Sequence, residues 1–326
     1  MKSKNIFTFS AMLFSLLILS PKNYFAQTRL NVKINFTEQE TRELEKMKKA
    51  GVLMRTTNSM FAQGTNPTSK KIEEFVFNDK GLLTEKTRFT SYGPVDEKMV
   101  YKYNKKGELI SRTLYNGEDV VLEKEDYKLD KSGRAIEIKA ETLVRGKVHK
   151  TKRTMKYDKN GTLLETKAFE GGKDFVIKEV MEYKDGLLMA KRLSNFKKQP
   201  LGYEIYQYDD QKRKIKETAA NIIYKPELDS TTNKMMSVAY EEKLEFLFKY
   251  DDKNRITEIK GTEYRQVFSY NDNGDFIRDT IFDNGGKKQN DNEFIYGEDG
   301  LLKRIVRYYG DGTPGAYIDY TYQKKK

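Results

Sequence analysis

Residues 155–164 of the chain read MKYDKNGTLL, and this stretch decides the fold. Met155 and Tyr157 are two residues apart, so in an extended strand both side chains point to the same face. Asp158 and Gly161 tolerate the backbone geometry of a tight turn, and the leucines at positions 163 and 164 restart an apolar strand. The stretch therefore predicts a strand, a tight turn and a return strand, which together form a β-hairpin.

The same pattern recurs along most of the chain. Its second ring position falls at residues 77, 103, 129, 157, 183, 208, 250, 270, 296 and 322, and five of the nine steps between them equal 26. Leucine takes the ring position at 129, and the copies at 208 and 250 lack the turn glycine. The residues that we expect to shape the repeat are the rings and turn glycines Phe77, Tyr103, Tyr157, Tyr183, Tyr208, Tyr250, Tyr270, Tyr296, Tyr322, Gly81, Gly107, Gly133, Gly161, Gly186, Gly274 and Gly300.

Tandem hairpins of near-constant length predict an elongated all-β fold. We expect an antiparallel meander of about 19 strands in a single curved sheet over residues 71–326, with each unit burying its rings against its neighbours. The step from 208 to 250 contains an insertion, at about 219–243, which favours either an extended hairpin or a binding feature. Residues 27–70 do not match the repeat and are interpreted as an N-terminal cap with a short helix, because Thr37 and Glu40 form a capping box and Gly51 is a stop signal.

Residues 1–26 have the order of a secretory signal peptide. Lys2 and Lys4 precede an apolar run at 6–20, which is short for a membrane span, and a polar segment follows it. We expect cleavage after Ala26; the alternative is a retained N-terminal anchor. The chain is therefore expected to be exported, to a periplasmic, outer-surface or secreted location.

Composition limits the chemistry. The net charge is +12, from 61 basic and 49 acidic residues, and the two signs are interleaved, which favours a solubilising role over a partner-binding one. There is no cysteine, which excludes disulfides and thiolate sites. His149 is the only histidine and is expected to be an ordinary surface residue, because zinc sites and Ser-His-Asp catalysis need more than it can supply.

The residue pattern offers three other chemistries. Turn acids such as Asp158, Asp251 and Asp272 either close turns or contribute to calcium loops, and they lack the full ligand pattern of such loops. Paired carboxylates of a glycoside hydrolase arise by accident in so charged a repeat. The tyrosine ladder could stack on sugars, but the same rings are needed as core. We expect no catalytic residue, no cofactor and no metal site.

The units resemble the tyrosine-aspartate (YD, or RHS-type) repeats. The resemblance covers about Phe75 to Tyr322 and is clearest at 157–163 and at 250–256. In large members of that family the repeats form a curled shell around a toxin or an extracellular adhesive surface. For this chain the resemblance implies hairpin architecture and an exported context, without a toxin domain.

The expected function is a non-enzymatic binding or structural module of the cell envelope or extracellular space. Its partner would be an unidentified envelope protein or glycan; no nucleic acid is expected, and membrane contact is expected only through the transient signal peptide. The alternatives are a component of a surface protein assembly, which would use the sheet edge or the insertion as contact, and a carbohydrate-active enzyme.

Overall fold

The structure, a computed structural model, describes residues 38–61, 68–172, 174–229, 231 and 234–325. These residues form one helix and twenty strands. The predicted signal peptide at 1–26 lies outside the described residues, as do residues 27–37 of the predicted cap.

The helix is α1 (Glu38–Lys49). The strands are β1 (Val52–Phe61), β2 (Lys70–Phe77), β3 (Leu83–Phe89), β4 (Val95–Tyr103), β5 (Leu109–Asn116), β6 (Val121–Leu129), β7 (Ala135–Val144), β8 (Lys147–Tyr157), β9 (Leu163–Glu170), β10 (Phe175–Lys184), β11 (Leu187–Ser194), β12 (Pro200–Tyr208), β13 (Lys214–Asp229), β14 (Lys234–Tyr250), β15 (Ile256–Lys260), β16 (Tyr264–Tyr270), β17 (Phe276–Asp283), β18 (Lys288–Tyr296), β19 (Leu302–Tyr308) and β20 (Pro314–Lys324).

The turn of residues 158–162 shows why each hairpin forms. The Asp158 N–H donates to the Thr162 carbonyl at 2.9 Å, and the Gly161 N–H donates to the Asp158 carbonyl at 3.1 Å. The Asp158 carboxylate accepts the N–H groups of Asn160 and Thr162, both at 2.8 Å. Gly161 has a φ of +91°, which a residue without Cβ adopts at little cost. The Asp and Gly of the sequence pattern thus have separate structural duties.

The sheet is closed, and the prediction of an open curved meander is wrong. Each strand pairs antiparallel with the next along the chain, and β1 pairs with both β2 and β20, in the latter case with Asn58 opposite Asp319. The result is a twenty-stranded antiparallel β-barrel. Closure removes the two bare edges that a meander would leave open to aggregation. The closing strand, β1, comes from the segment interpreted as a cap.

The face with the rings is the inside of the barrel. Met99 and Tyr101 on β4 are only 6% and 5% exposed, whereas Lys102, between Tyr101 and Tyr103, is exposed on the opposite face. Helix α1 contacts residues on the ring-bearing face of strands that are not neighbours in the sheet. One short helix can reach all of them only from the inside of a closed curve. The outer face carries ladders of opposite charge, such as Glu141 with Lys150 at 2.8 Å.

Helix α1 lies against one end of the barrel. The Lys46 ammonium is 2.7 Å from the Asp275 carboxylate and 4.5 Å from the centre of the Tyr296 ring, and the Arg42 guanidinium donates to the Gly274 carbonyl. Met47, which is 1% exposed, fixes the helix by apolar burial. Within the described ranges, no helix is long and apolar enough to cross a bilayer.

The turns alternate between the two ends of the barrel. We call the end formed by the β2–β3, β4–β5 and later even-to-odd turns the latch rim, and the end formed by the odd-to-even turns the distal rim. Strands β13 and β14 are the longest, with 16 and 17 residues, and pair along their length from Lys216 opposite Leu247 to Asp229 opposite Lys234. Their hairpin projects beyond the distal rim, since β12 pairs with β13 only as far as Asn221.

Candidate functional site

The tyrosines of the repeat donate hydrogen bonds between units. The Tyr103 hydroxyl donates to the Leu83 carbonyl at 2.7 Å, across the start of the neighbouring hairpin. Six further ring positions make the equivalent bond. They are Tyr157 to Ala135 at 2.9 Å, Tyr183 to Leu163 at 3.0 Å, Tyr208 to Leu188 at 2.8 Å, Tyr250 to Lys214 at 2.7 Å, Tyr270 to Ile256 at 2.6 Å and Tyr322 to Leu302 at 2.6 Å. We call these seven bonds the hydroxyl latches.

The hydroxyl latches add hydrogen bonds between neighbouring strands beyond the point where their backbone pairing stops. The pairing of β3 with β4 begins at Glu85 opposite Val100, two residues after Leu83. The pairing of β19 with β20 likewise begins at Arg304 opposite Asp319, two residues after Leu302. A tyrosine hydroxyl therefore supplies one additional hydrogen bond between units at the latch rim, which a phenylalanine cannot do.

Burial keeps these hydroxyls in their donor form. It raises the pKa of Tyr103 to about 12, and it also raises the pKa of Tyr157 and Tyr208. A neutral phenol donates one hydrogen bond, which the backbone carbonyl accepts. Tyr103, Tyr157 and Tyr208 therefore stay protonated at physiological pH.

Two ring positions carry no hydroxyl, and a third lies against helix α1. Phe77, which is 5% exposed, packs 6.4 Å from Phe75 and has no hydroxyl. Leu129 occupies the same slot at the end of β6. Tyr296 lies under the Lys46 ammonium, so its ring contacts the helix.

All the turn glycines singled out by the repeat have positive φ. The values range from +72° at Gly81 and Gly300 to +91° at Gly161, with Gly107, Gly133, Gly186 and Gly274 between them. In the two copies without glycine, Lys212 and Asn254 adopt the same left-handed conformation, with φ of +62° and +60°. The turn geometry is thus kept where the sequence signal is lost.

Buried charges on the inner face are paired with one another. Arg112, 8% exposed, donates to Glu125 at 2.7 Å and to Glu123 at 3.0 Å. Lys191 lies 2.8 Å from Glu204, and Tyr206 donates a short hydrogen bond to the same carboxylate. These groups stabilise one another's charge, as buried ions require.

Glu179 and Glu204 are the pair closest to a hydrolytic arrangement. Both are 5% exposed, and burial raises the pKa of Glu179, which accepts a hydrogen bond from Thr166 at 3.1 Å. Glu204 is engaged by Lys191 and Tyr206. Both carboxylates lie on the strand walls, away from the cavity described next.

A cavity of about 310 Å³ lies at the latch rim, between α1 and the hairpins that carry Tyr250 and Tyr270. Three cations line it: Arg42 from α1, and Lys253 and Arg255 from the β14–β15 turn. Asn254, Ile256, Phe276 and the two tyrosines complete the wall, with no acid among the lining residues.

Carboxylates outside the cavity partly neutralise two of its cations. Arg255 Nε donates to the Asp251 carboxylate at 2.7 Å, and its guanidinium lies 4.6 Å from the centre of the Tyr270 ring. Lys253 lies 4.0 Å from Asp272 and remains 55% exposed. Neither of these two carboxylates is among the residues that line the cavity.

The remaining polar candidates have structural positions. His149 is half-buried in β8, opposite Thr142. Turn acids such as Asp158 accept backbone N–H groups. In the ranges that the structure describes, no three or more His, Asp or Glu side chains are grouped to hold a metal ion.

The distal rim differs from the latch rim in exposed apolar surface. The latch-rim turns carry Asp, Asn, Lys and Gly at their tips. The distal rim exposes large apolar side chains on six different connections or strand ends. They are Phe61 at 71%, Tyr92 at 92%, Val120 at 43%, Val148 at 57%, Phe196 at 53% and Tyr309 at 48%. The strand walls and the latch ends of strands also expose large apolar side chains, such as Leu244 at 49%, Leu247 at 45% and Ile295 at 41%, but each of these is less than half exposed.

Comparison with known proteins found no matching family model and no matching curated protein. Among solved structures, a porin-like protein from Bacteroides uniformis is 10% identical over 84% of this chain and 97% of its own, with a TM-score of 0.35. The Photorhabdus luminescens Tc holotoxin pore is 12% identical over 82% of this chain, with a TM-score of 0.33. The chain spans 17% of that toxin chain. At these scores neither likeness contributes to the function proposed below.

Proposed function

We propose that this chain is an exported, non-enzymatic β-barrel of the tyrosine-aspartate repeat kind, which acts as a binding or structural module of the cell envelope or extracellular space. The observation that carries the proposal is the asymmetry of the rims. Among the described residues, the four large apolar side chains that are more than half exposed, Phe61, Tyr92, Val148 and Phe196, all lie at the distal rim. The charges of the strand walls are ion-paired, and the hydroxyl latches use the tyrosines internally. We infer that the contact surface lies at the distal rim, because the charged groups of the strand walls already have partners within the chain.

The dense charge of the outer wall supports a water-exposed barrel. Pairs such as Lys178 with Glu165 at 2.8 Å and Arg304 with Asp319 lie on that face. A lysine or arginine facing lipid at the bilayer midplane costs about 2–4 kcal/mol. We therefore propose that partners are engaged by the rims.

Capture with matched variants tests the contact surface. The mature chain would be immobilised and exposed to an envelope fraction of its own organism and to a glycan array. Tyr92→Ser with Phe196→Ser is expected to reduce capture at least severalfold, because it removes two exposed apolar tips. The control, Lys106→Ser with Lys159→Ser, changes exposed latch-rim turns and is expected to leave capture unchanged. Equal capture by both variants would contradict a distal-rim surface, and no capture by the unaltered chain would contradict the binding role.

Export is tested by the mature N-terminus. If residues 1–26 are a signal peptide, the chain recovered from outside the cytoplasm begins at Gln27. A chain that retains Met1 or the apolar run at 6–20 would support the retained anchor instead.

A second candidate function is a component of a surface protein assembly. Barrel closure removes the terminal sheet edges as contacts, but the β13–β14 hairpin still projects, and residues 239–245 of β14 are all exposed. Replacing 222–241 by a two-residue turn leaves the β12–β13 ladder up to Asn221 in place. Loss of assembly with an intact fold would support this candidate.

A further inference from the structure

We propose that the latch-rim cavity binds a single sugar-sized polar anion, a sugar carboxylate or a sugar phosphate. The inference deepens the binding role proposed above and uses the opposite rim. Its basis is the juxtaposition of Arg42, Lys253 and Arg255 around a space of about 310 Å³ that no carboxylate lines. That volume holds one monosaccharide-sized unit.

The cationic side chains are presented in complementary ways. Arg255 is held in place by Asp251 at 2.7 Å and by the Asn271 carbonyl at 3.0 Å, so its guanidinium is pre-oriented. Lys253 carries a point charge on a side chain that is 55% exposed. Fixed guanidinium groups suit planar oxyanion recognition, and an ammonium group adds charge from any direction.

The rest of the repeat provides an internal control. Arg134 repeats the Arg255 arrangement, with its turn partner Asp130 at 2.7 Å and its guanidinium 5.0 Å from the Tyr157 ring centre. The cavity at Arg255 differs in that α1 adds Arg42 to its lining. The arginine, aspartate and tyrosine triad is therefore a structural feature of the repeat, and the third cation, from α1, distinguishes the proposed site.

The cavity lies beside the shortest unit of the array. The step from Tyr250 to Tyr270 is 20 residues, against 26 in most units, and β15 has only five residues. Helix α1 bridges this region through the Arg42 contact to the Gly274 carbonyl. The site thus exists where a short hairpin and the helix meet.

Titration calorimetry on the full mature chain tests the proposal with four probes: galacturonate, galactose, glucose 6-phosphate and inorganic phosphate. We expect galacturonate or glucose 6-phosphate to bind and galactose not to bind, with affinity falling as salt rises. A response to galacturonate alone identifies a carboxylate ligand, and a response to glucose 6-phosphate alone identifies a sugar phosphate. Inorganic phosphate binding as tightly as glucose 6-phosphate would overturn the sugar-sized ligand, and no response to any anion would overturn the site.

Two variants locate the binding. Lys253→Ala and Arg42→Ala are each expected to weaken binding about fivefold, the fold-change that corresponds to roughly 1 kcal/mol of ion-pair energy near 4 Å in water. Lys106→Ala removes a lysine from the same turn position of the β4–β5 hairpin and is expected to change nothing. If Lys106→Ala weakens binding equally, the anion responds to overall charge and the site is wrong. A site that fails here leaves the distal-rim capture test unaffected, so the two proposals fail separately.

Discussion

Replacing Tyr103 by phenylalanine removes one hydroxyl latch and nothing else. The lost bond, 2.7 Å to the Leu83 carbonyl, lies at a half-buried position beside a Leu83 side chain that is 5% exposed. A net hydrogen bond contributes about 0.5–1.5 kcal/mol, and removing one partner of a buried bond costs about 1–3 kcal/mol. We therefore expect Tyr103→Phe to lower the free energy of unfolding by about 1–2 kcal/mol.

The stability lost on removing a hydroxyl latch should be smaller where the tyrosine is more exposed to water. Tyr183 is 37% exposed, so water can replace its bond to Leu163, and Tyr183→Phe should cost about 0.5 kcal/mol. Tyr92, 92% exposed on the distal rim, serves as the control for loss of a hydroxyl, and Tyr92→Phe should cost about 0 kcal/mol.

The assay is equilibrium denaturation in urea. If the variants share the same dependence of the unfolding free energy on urea concentration, the midpoint of the transition reports the change in stability. Combining Tyr103→Phe with Tyr208→Phe, whose bonds lie in separate hairpins, should give an additive loss. If Tyr103→Phe and Tyr92→Phe have the same stability within about 0.3 kcal/mol, the latches do not stabilise the barrel.

Three further results are expected. Leu129→Tyr should raise the free energy of unfolding by about 1 kcal/mol in the same assay, because the new hydroxyl can donate to the Leu109 carbonyl. Leu109 lies two residues before the β5–β6 pairing begins at Ser111, as the acceptors of the other hydroxyl latches do in their strands. No gain would mean that position 129 cannot hold a ring. Gly300→Ala should cost about 1–2 kcal/mol although its Cβ would meet open space, since only the φ of +72° opposes it, and a neutral result in thermal unfolding would contradict that cause. The pKa of Glu179 is raised in the fold by burial, so its contribution to the free energy of unfolding is complete below its unfolded pKa and is lost as pH rises through its folded pKa. Glu179→Gln should therefore stabilise the barrel at neutral pH and flatten this decline of stability with pH. An unchanged pH profile of unfolding would be evidence against this.

The repeat pattern predicted the local structure of the units for a physical reason. Side-chain alternation and turn geometry act within a few residues, so Tyr157, Asp158 and Gly161 are sufficient to predict a hairpin. The hydroxyl partner was not predictable in the same way. It depends on where the ladder between two hairpins ends, and that register is set across strands.

Closure and the cavity depend on contacts that are remote in sequence. β1 has no repeat motif, and its pairing with β20 joins Asn58 to Asp319, so nothing local distinguishes it from a cap. The cavity likewise needs Arg42 beside Lys253 and Arg255, which lie more than 200 positions away. The turn that carries Lys253 and Arg255 has the same length and hydrogen bonds as the turns of other units, so nothing local in the sequence indicates the cavity.

Closure of the barrel between β1 and β20 is the central structural claim, and a disulfide tests it most directly. Thr56 and Thr321 pair across the two strands, and the chain has no cysteine of its own. Paired positions in adjacent antiparallel strands are within disulfide reach, at Cα separations of about 4.5–5.5 Å. Thr56→Cys with Thr321→Cys is expected to crosslink on mild oxidation, while Thr154→Cys with Thr321→Cys keeps both thiols free. Two free thiols in the first pair, in a chain that remains folded, would contradict a closed barrel.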